Sequence, residues 1–426
     1  MRKLRVLRLG DRGTDVMEIQ ALLKKIGYNP GPVDGIFGEQ TRQAVINFQR
    51  NNNLIPDGVI GMNTYTKLNP LLLGYDIYYV QPGDTLWRIA QRYYTTLNRI
   101  LTANPGVDPY QLRIGQRLVV PFGIDVVDTN INYTYDILER DIEGLKSRYP
   151  FIEVGIAGQS VLGRNIYYLK LGNGPNEVFY NGGIHALEWL PVPVLMKWIE
   201  NFASAYAEGR SIRNYDVREI WNQSSIYIMP MINPDGIDLV LNGLQPDNPY
   251  YDELLRWNDT GQPFSQVWNA NIRGVDLNHN YDALWYEYQE LAEELGYGDP
   301  GPTRYPGPFP ESEPETETVV EFIRNHDFRL LITYHSQGQV IYWDFENMAP
   351  PVAREIGEMF TEVSGYELAE PVGTASYSGM KDWFIQEYGR PGYTIETGIG
   401  RNPLPISQIP MIYDNNEELL LLAAVV

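Results

Sequence analysis

The side chains best suited to metal chemistry are few in this sequence. Its 426 residues include no cysteine and only four histidines. Glu188 follows His185 by three residues, so both side chains can face one side of a turn or helix and bind one metal ion. His335 ends an apolar run, where a lone histidine is more often structural. Each signal is weak alone, but together they supply a His, Glu and His set that leaves zinc a fourth position for water. Thiolates are absent, so histidine and carboxylate are the zinc ligands that remain.

Another acidic residue lies at the end of a second apolar run. Glu396 follows the run 392–395. A carboxylate in this position is either a solvated strand-end group or a general base that acts on water at a metal. Of the two remaining histidines, His279 lies in a loop motif, whereas His326 is expected at a helix end.

Composition excludes several classes of protein. The chain has 54 acidic and 33 basic residues, a formal charge of −21, which argues against a nucleic-acid binder. Hydrophobic residues make up 43% of the chain, as expected of a globular protein. No apolar run reaches the length of a membrane span, and the apolar tail 419–426 predicts a buried terminal helix. The basic start lacks an apolar stretch of signal-peptide length, so we expect no export signal.

The chain length predicts two to four domains, and the sequence pattern separates three, at 1–72, 76–122 and 125–426. In the third, apolar β-branched runs alternate with helical patterns, which predicts an α/β domain with helices packed on a buried sheet. The predicted strands are 165–171, 177–180, 225–231, 329–334 and 392–395. The predicted helices are 135–148, 188–206, 312–326, 350–363 and 379–388. Ligands of open α/β sheets bind at strand ends, where the candidate metal ligands lie.

The first domain contains an imperfect repeat. Asp34-Gly-Ile-Phe-Gly38 precedes Thr41, and Asp57-Gly-Val-Ile-Gly61 precedes Thr64. Each is a glycine-containing turn followed by a threonine that we expect to cap a helix. The apolar spacing around the turns predicts a small helical bundle. The segment resembles the peptidoglycan-binding domain found in many cell-wall hydrolases.

The second domain has a β-α-α-β pattern. Val80-x-x-Gly-Asp-Thr-Leu86 precedes Asn104-Pro105 and Ile114-Gly-Gln-x-Leu-x-x-Pro121. These motifs resemble a LysM domain, a module that binds glycans containing N-acetylglucosamine. The resemblance implies a glycan site between one loop, formed by Gly83, Asp84, Thr85 and Leu86, and a second loop around Leu112. Gly83 and Thr85 are equally compatible with a role in shaping a turn alone.

The third domain resembles the zinc carboxypeptidase family. The motifs occur in the family's order: Asn181-Gly-Gly before His185-x-x-Glu188, Met231-Ile-Asn-Pro-Asp-Gly236, Gly274-Val-Asp-Leu-Asn-His-Asn280, Pro310-x-Ser-Glu-Pro-Glu-Thr316, Thr333-Tyr-His335 and Thr394-Ile-Glu-Thr-Gly398. The likeness covers essentially the whole domain. It implies a mixed central sheet flanked by helices and one zinc ion per catalytic domain.

The resemblance also implies a role for each matching residue. His185, Glu188 and His335 would bind the zinc ion, and Glu396 would take a proton from the attacking water and pass it to the leaving amine. Asp276 would hydrogen-bond the His185 ring and fix its tautomer.

Two further roles follow less directly from the resemblance. An arginine of the family polarises the scissile carbonyl, and Arg273 is the candidate here, although the family's arginine often lies nearer Asn269. Tyr377 is the candidate for a mobile tyrosine that closes over the substrate. Both side chains are also compatible with ordinary surface roles.

The pair Asn278–His279 departs from the family pattern. Most members have Asn-Arg there, and that arginine grips the free carboxylate of a peptide C-terminus. Histidine is a shorter and weaker anion ligand, so either the substrate anchor has changed or a neutral replacement still trims C-termini. We favour a changed anchor at a substrate-binding Asn278–His279 pair. Such an anchor suits an isopeptide-like bond, such as the γ-D-glutamyl link to a diamino acid (diaminopimelate) in peptidoglycan stem peptides.

The favoured function is therefore zinc-dependent hydrolysis of stem peptides, with glycan strands and stem peptides as partners. A metallocarboxypeptidase acting on other peptides and a non-catalytic wall-binding protein remain open. Bacterial enzymes of the favoured type include some that are associated with sporulation and lack export signals. We accordingly expect a cytoplasmic location, in a sporulating cell, or cell-wall association by an unrecognised route.

Overall fold

The computed structural model describes residues 5–373 and 377–426 and contains two compact units. One unit comprises the chain up to Glu153 together with Glu200–Gly209. The other comprises Val154–Ile199 and Arg210–Val426.

The first unit begins with the predicted helical bundle. Its helices are α1 (Thr14–Lys25), α2 (Glu39–Asn51) and α3 (Met62–Leu73). Their apolar faces enclose a core that includes Val16, Leu23, Phe37 and Leu68. The three helices are amphipathic, as the spacing of apolar residues predicts. Because helices of this length are marginal on their own, burial of their apolar faces in this core stabilises them.

A buried glutamine organises each copy of the repeat. Gln20 on α1 donates to Asp34 Oδ1 (3.0 Å) and Thr41 Oγ1 (3.1 Å) and accepts from the backbone N–H groups of Asp34 (3.1 Å) and Gly35 (2.8 Å). Gly35 has φ 72°, and a Cβ there would lie 2.9 Å from the Gly13 carbonyl oxygen, so the turn requires glycine.

The second copy of the repeat uses the same device. Gln49 on α2 donates to Asp57 Oδ1 (2.8 Å) and Thr64 Oγ1 (3.1 Å), and it accepts from Gly58 N–H (2.9 Å). The expectation that Thr41 and Thr64 cap helices is therefore wrong. The N-cap positions of α2 and α3 are Gly38 and Gly61, and both threonines lie in the first helical turn, where their hydroxyls bond the buried glutamines.

The β-α-α-β pattern follows directly along the chain. It consists of β1 (Tyr75–Tyr79), α4 (Leu86–Arg92), α5 (Leu97–Ala103) and β2 (Arg117–Pro121), and it is followed by α6 (Tyr135–Arg148). The two strands pair antiparallel, with Tyr75 opposite Pro121. Thr85 caps α4 by accepting from Arg88 N–H at 3.2 Å, as its motif suggests.

The second unit is built on an eight-stranded sheet in the order β11-β10-β12-β9-β5-β8-β4-β3. Its strands are β3 (Glu153–Gln159), β4 (Asn165–Leu171), β5 (Asn176–Gly182), β8 (Ser224–Met229), β9 (Leu330–His335), β10 (Val340–Tyr342), β11 (Glu367–Ala369) and β12 (Gly392–Glu396). A separate hairpin pairs β6 (Ser211–Ile212) with β7 (Tyr215–Asp216).

Helices complete this α/β fold. They are α7 (Pro191–Glu208), α8 (Val217–Gln223), α9 (Pro234–Asn242), α10 (Tyr251–Trp257), α11 (Phe264–Val267), α12 (Trp285–Glu294), α13 (Pro314–Arg324), α14 (Pro351–Ser364), α15 (Met380–Tyr388) and α16 (Ile409–Ala423). Proline begins α13 and α14, where a missing backbone N–H costs no helical hydrogen bond. The terminal helix α16 buries Leu419, Leu420 and Leu421, as the apolar tail predicts.

Pairing in the middle of the sheet is parallel. The strand β5 pairs in parallel with both β8 and β9, and β9 pairs in parallel with β12. The pairs β4–β8 and β10–β12 are antiparallel, so the mixed sheet and the α/β fold class are confirmed. The central strands are buried on both faces, which explains why they are continuous apolar runs in the sequence. Across the described ranges, no helix has both the length and the apolar character needed to cross a bilayer.

We predict that Gln20→Met destabilises the helical bundle by about 2–4 kcal/mol, because the Asp34 and Gly35 N–H groups lose their acceptor. The measurement is hydrogen exchange of the peptides that cover residues 34–41 in the intact protein, where exchange should quicken. Gln43→Met, at an exposed position on α2, is the matched control and should leave the rate unchanged. Equal exchange in the two variants would contradict a structural role for the buried amide.

Candidate active site

Three adjacent parallel strands bring the candidate residues to one edge of the sheet. His185 and Glu188 lie in the turn that follows β5, His335 is the last residue of β9, and Glu396 is the last residue of β12. The register pairs Glu396 with His335. Parallel neighbours end at the same edge, so side chains more than 200 positions apart in sequence become neighbours.

The two histidines and Glu188 form a compact donor cluster. One ligand atom from each of them lies within 4.8 Å of the others. His185 Nδ1 is 3.1 Å from Glu188 Oε1, and His335 Nδ1 is 3.1 Å from Glu188 Oε2. The two Nδ1 atoms are 3.3 Å apart. Two imidazole nitrogens and a carboxylate that converge in this way suit a cation among them.

The electrostatics of the cluster favour an ionised Glu188. Burial opposes its charge, but His185 and His335 outweigh that effect and lower the pKa of Glu188 to about 2. Glu396 behaves in the opposite way, because burial and the neighbouring Glu188 charge raise the pKa of its carboxyl group well above the usual range. A cation in the cluster would oppose this rise, since positive charge favours an ionised carboxylate. Glu396 Oε2 is buried and has no hydrogen-bond partner among the described residues.

Asp276 orients His185. Its Oδ1 lies 3.0 Å from His185 Nε2, and its Oδ2 accepts from the Arg304 backbone N–H (2.8 Å) and from Thr303 Oγ1 (3.2 Å). Burial disfavours the charge, but His185, His279 and the Arg304 N–H together hold the pKa of Asp276 well below its usual range. An ionised Asp276 accepts the proton of His185 Nε2, which leaves the Nδ1 lone pair for a metal.

A residue that no sequence motif indicated completes the surroundings of Glu188. Asn402 Nδ2 donates to Glu188 Oε1 at 3.2 Å and to the Ser336 carbonyl at 2.7 Å. Ser336 N–H donates to Glu188 Oε2 at 3.0 Å. Together they hold the carboxylate with both oxygens toward the histidines. The only sequence signal for Asn402 is its position six residues after Glu396.

The contacts of Arg273 lie outside the donor cluster. Its Nε donates to Tyr250 Oη (3.3 Å), and its Nη1 is 3.7 Å from Glu313 Oε2. Asn269 contacts the segment that carries His185, because its carbonyl oxygen accepts from the N–H of Ala186, the residue after His185 (3.0 Å). The side-chain Oδ1 of Asn269 is buried and has no partner among the described residues. The carbonyl-polarising role of Arg273 thus stays a prediction.

Asn278 and His279 contact the segment that carries Tyr377. Asn278 Oδ1 accepts from Met380 N–H at 3.2 Å, and His279 Nδ1 lies 3.0 Å from the Tyr377 carbonyl oxygen. The His279 ring also stacks on Tyr288, with centroids 4.0 Å apart and planes inclined by 9°. The structure therefore brings the three predicted residues together around one loop.

The family model described as zinc carboxypeptidase matches residues 138–419. The chain belongs to the zinc carboxypeptidase family. Models of the putative peptidoglycan-binding domain and the LysM domain match residues 12–68 and 78–121. The protein is therefore a zinc metallopeptidase with modules for binding peptidoglycan, and the LysM match suggests cell-wall association.

Known proteins similar to this chain include bacterial and animal peptidases. Gamma-D-glutamyl-L-diamino acid endopeptidase 1 of Lysinibacillus sphaericus is 40% identical over 387 residues, covering 78% of this chain and 96% of that protein. Carboxypeptidase B of Astacus astacus is 30% identical over 307 residues, covering 66% and 92%. The solved structure of bovine thrombin-activatable fibrinolysis inhibitor, in complex with tick carboxypeptidase inhibitor, has a TM-score of 0.53 at 20% identity and covers 70% of this chain and 96% of that chain, which shows the shared fold.

The donor cluster fits the zinc cofactor of the family. It offers two nitrogens and a carboxylate, with Asp276 and Asn402 orienting them. When bound, zinc supplies a Lewis acid that polarises a carbonyl and makes water more acidic.

The predicted glycan-binding residues of the LysM match differ in exposure. Gly83 and Thr85 are exposed, whereas Asp84 is held by Tyr78 Oη (2.5 Å) and Gln81 N–H (2.8 Å). Leu86 is only 1% exposed and belongs to the core, so its side chain is not available to a sugar. Leu112 packs partly against the same core. Sequence reasoning did not indicate the neighbouring exposed side chains Trp87, Tyr110 and Ile114.

A buried acid supports the loop that carries Arg273 and Asp276. Glu315 on α13 accepts from Val161 N–H (3.0 Å) and from Asn271 Nδ2 (3.2 Å). Asn271 Oδ1 in turn accepts from the backbone N–H groups of Arg273 (2.9 Å) and Val275 (3.1 Å).

Glu315 titrates unusually in this setting. Burial, with the charges of Asp235 and Glu313 adding to it, raises the pKa of Glu315 to about 8. The carboxyl group is therefore protonated in the folded protein at neutral pH.

We predict that Glu315 makes stability fall as pH rises from about 4.5 to 8. In this window the folded state binds a proton that the unfolded state has lost, so unfolding becomes easier by about 1.4 kcal/mol per pH unit. Denaturant unfolding of wild type and Glu315→Gln, compared between pH 6 and pH 8, isolates this effect, and the variant should lose that part of the slope. Glu321→Gln, at an exposed position on α13, is the control. Parallel curves for wild type and Glu315→Gln would show that Glu315 is ionised in the folded protein.

Proposed function

We propose that this zinc peptidase hydrolyses peptidoglycan stem peptides at the bond between γ-D-glutamate and an L-diamino acid. The observation that carries the proposal is the 40% identity to a γ-D-glutamyl-L-diamino acid endopeptidase over 96% of that protein's length. The matches to two wall-binding modules in the same chain support the choice of substrate. We further propose that the protein acts in association with the cell wall, with a sporulating cell as the expected setting.

In the proposed mechanism, His185 Nδ1, Glu188 and His335 Nδ1 would hold the zinc ion. Asp276 keeps the proton of His185 on Nε2, and Asn402 keeps the Glu188 carboxylate turned toward the two histidines. Glu396 accepts a proton from the attacking water through Oε2, which has no competing partner among the described residues. It then returns the proton to the amine of the diamino acid as the amide bond breaks.

For the wall-binding modules, we propose that the exposed Gly83–Thr85 turn and the loop around Leu112 contact the glycan strand. Asp84 would act by holding this turn, through its bonds to Tyr78 and Gln81, rather than by touching sugar.

We predict that Glu396→Gln lowers kcat by about a thousandfold while the protein still binds one zinc ion per chain, because glutamine cannot accept the proton but leaves the donor cluster intact. Turnover is followed by the product masses from a defined muropeptide, and zinc by elemental analysis. Glu367→Gln, the same substitution at an exposed position in the same sheet, should keep full activity. Near-full activity of Glu396→Gln would remove Glu396 from its role as base.

We predict that chelation abolishes cleavage and that added Zn²⁺ restores it. With zinc restored, the products of the tetrapeptide L-Ala-γ-D-Glu-diaminopimelate-D-Ala should be L-Ala-D-Glu and diaminopimelate-D-Ala. Mass spectrometry distinguishes this result from the loss of a C-terminal residue alone, which would instead make the protein a carboxypeptidase. Cleavage that persists in the chelator would contradict zinc dependence.

A further inference from the structure

An amide carbonyl under attack by water needs a hydrogen-bond donor for its oxygen, because negative charge collects on that oxygen. Glu396 cannot fill this place, since an ionised carboxylate only accepts hydrogen bonds. Arg273 has other contacts, because its guanidinium donates to Tyr250 and pairs with Glu313. The side-chain amide of Asn269, four residues earlier on the same loop, is a donor without such commitments.

Backbone hydrogen bonds hold Asn269 beside the turn that carries His185. Its carbonyl oxygen accepts from Ala186 N–H (3.0 Å), and its N–H donates to the Pro302 carbonyl (2.8 Å). Both bonds use main-chain atoms only. Substitution of the Asn269 side chain therefore leaves the path of the loop and its contact with the turn in place.

The residues on either side of Asn269 determine where its side chain points. Trp268 has an extended backbone (φ −88°, ψ 105°), and Trp268 and Ala270 are both fully buried. Side chains alternate along extended backbone, so Asn269 turns away from the core that holds its neighbours. His185 is likewise half-buried between two buried neighbours. The amide of Asn269 and the ring of His185 thus leave the core at adjacent positions.

The amide of Asn269 is unused in the protein itself. Its Oδ1 is buried without a partner, and its Nδ2 donates to no group in the part of the chain that the structure describes. Glu396 Oε2 and His335 Nε2, in the same site, are also buried without partners. Unpaired polar atoms in a native structure cost stability and call for an explanation, and a substrate that completes their hydrogen bonds supplies one.

We propose that Asn269, rather than Arg273, donates an N–H hydrogen bond to the oxygen of the scissile carbonyl. As the oxygen of water adds to the carbonyl carbon, the π electron pair moves onto the carbonyl oxygen, and the hydrogen bond from Asn269 strengthens with the growing charge. The pair returns to form the carboxyl group when the C–N bond breaks and Glu396 protonates the amine. The carbonyl is then polarised by an amide dipole, where most members of the family use the fixed charge of an arginine.

The kinetic test removes the donor and keeps the backbone. Asn269→Ala should lower kcat on the stem tetrapeptide by about a hundredfold and leave KM within about threefold, because the donor acts on charge that develops only after binding. Asn269→Asp, which keeps the shape but carries an acceptor in place of the donor, should lower kcat at least as much. Asn222→Ala, at an exposed position on α8, is the control and should keep full activity. All three variants should still bind one zinc ion per chain.

A binding measurement separates this role from a structural one. The probe is L-Ala-γ-D-Glu-diaminopimelate-D-Ala with a phosphinate in place of the scissile amide, whose charged oxygens resemble the transition state. Calorimetry on the zinc-loaded protein should show that Asn269→Ala weakens its binding by about a hundredfold. The uncleaved tetrapeptide, measured with Asn269→Ala added to Glu396→Gln, should bind within about threefold of Glu396→Gln alone. Equal losses for the two ligands would overturn the proposal, because the side chain would then only shape the cleft.

Arg273→Ala decides between the two candidate donors. A hundredfold loss of phosphinate affinity in this variant, with none in Asn269→Ala, would overturn the proposal in favour of Arg273.

The choice of probe rests on the proposed function, whereas the role of Asn269 requires only that an amide bond is hydrolysed. A second phosphinate, built on a dipeptide with a free C-terminus, covers the case in which the stem-peptide phosphinate does not bind the wild type. Such a failure would reject the proposed substrate. A hundredfold loss of the second phosphinate in Asn269→Ala would still support Asn269 as the donor, and unchanged binding of it would refute that role.

Discussion

The structure of the site depends on one constraint, the parallel pairing of β5, β9 and β12. Parallel neighbours share an edge, so the residues that end these strands meet without any long side chain having to reach across. A slip of one residue in β9 would turn His335 to the opposite face of the sheet. The buried apolar residues on both faces of β9 fix that register, and the hydrophobic core thereby determines the geometry of the donor cluster.

Ionised side chains buried at this edge of the sheet need hydrogen-bond partners, and the surrounding loops supply them. Ionised groups in such a place are stable only with partners, and each one here has them. Asp276 accepts hydrogen bonds from Arg304 N–H and Thr303, and Glu188 accepts hydrogen bonds from Ser336 N–H and Asn402. Glu315 is buried as well, but burial and the charges of Asp235 and Glu313 raise the pKa of its carboxyl group to about 8, so it stays protonated at neutral pH. The loop that ends in Asp276 is thus supported by a neutral acid on one side while it presents an anion on the other.

Much of this arrangement could be predicted from the sequence, because the spacing of apolar residues and the order of the motifs can be read directly along the chain. Apolar runs predicted the strands that carry His335 and Glu396, and the four helices of the catalytic unit predicted at 188–206, 312–326, 350–363 and 379–388 are present to within three residues at each end. The side-chain partners were harder, since they depend on which distant residue the fold brings near. The sequence around Thr41 is typical of a helix cap, but in the fold its hydroxyl accepts from Gln20. The motif around Leu86 is typical of a sugar-binding turn, but in the fold the Leu86 side chain is buried in the core. Asn402 could not be predicted, because its position six residues after Glu396 does not by itself mark an asparagine as a partner of Glu188.

The negative charge of the protein is a physical reason for wall-binding modules on the same chain. A chain of net charge −21 has no long-range attraction for stem peptides that carry carboxylates of their own. Stem peptides must therefore be held at the active site by local contacts alone. Modules on the same chain that hold the glycan strand overcome this deficit, because a tethered site encounters nearby stem peptides at an effective concentration on the order of millimolar. Anchoring to the polymer thus takes the place of long-range attraction for a substrate that is fixed in place.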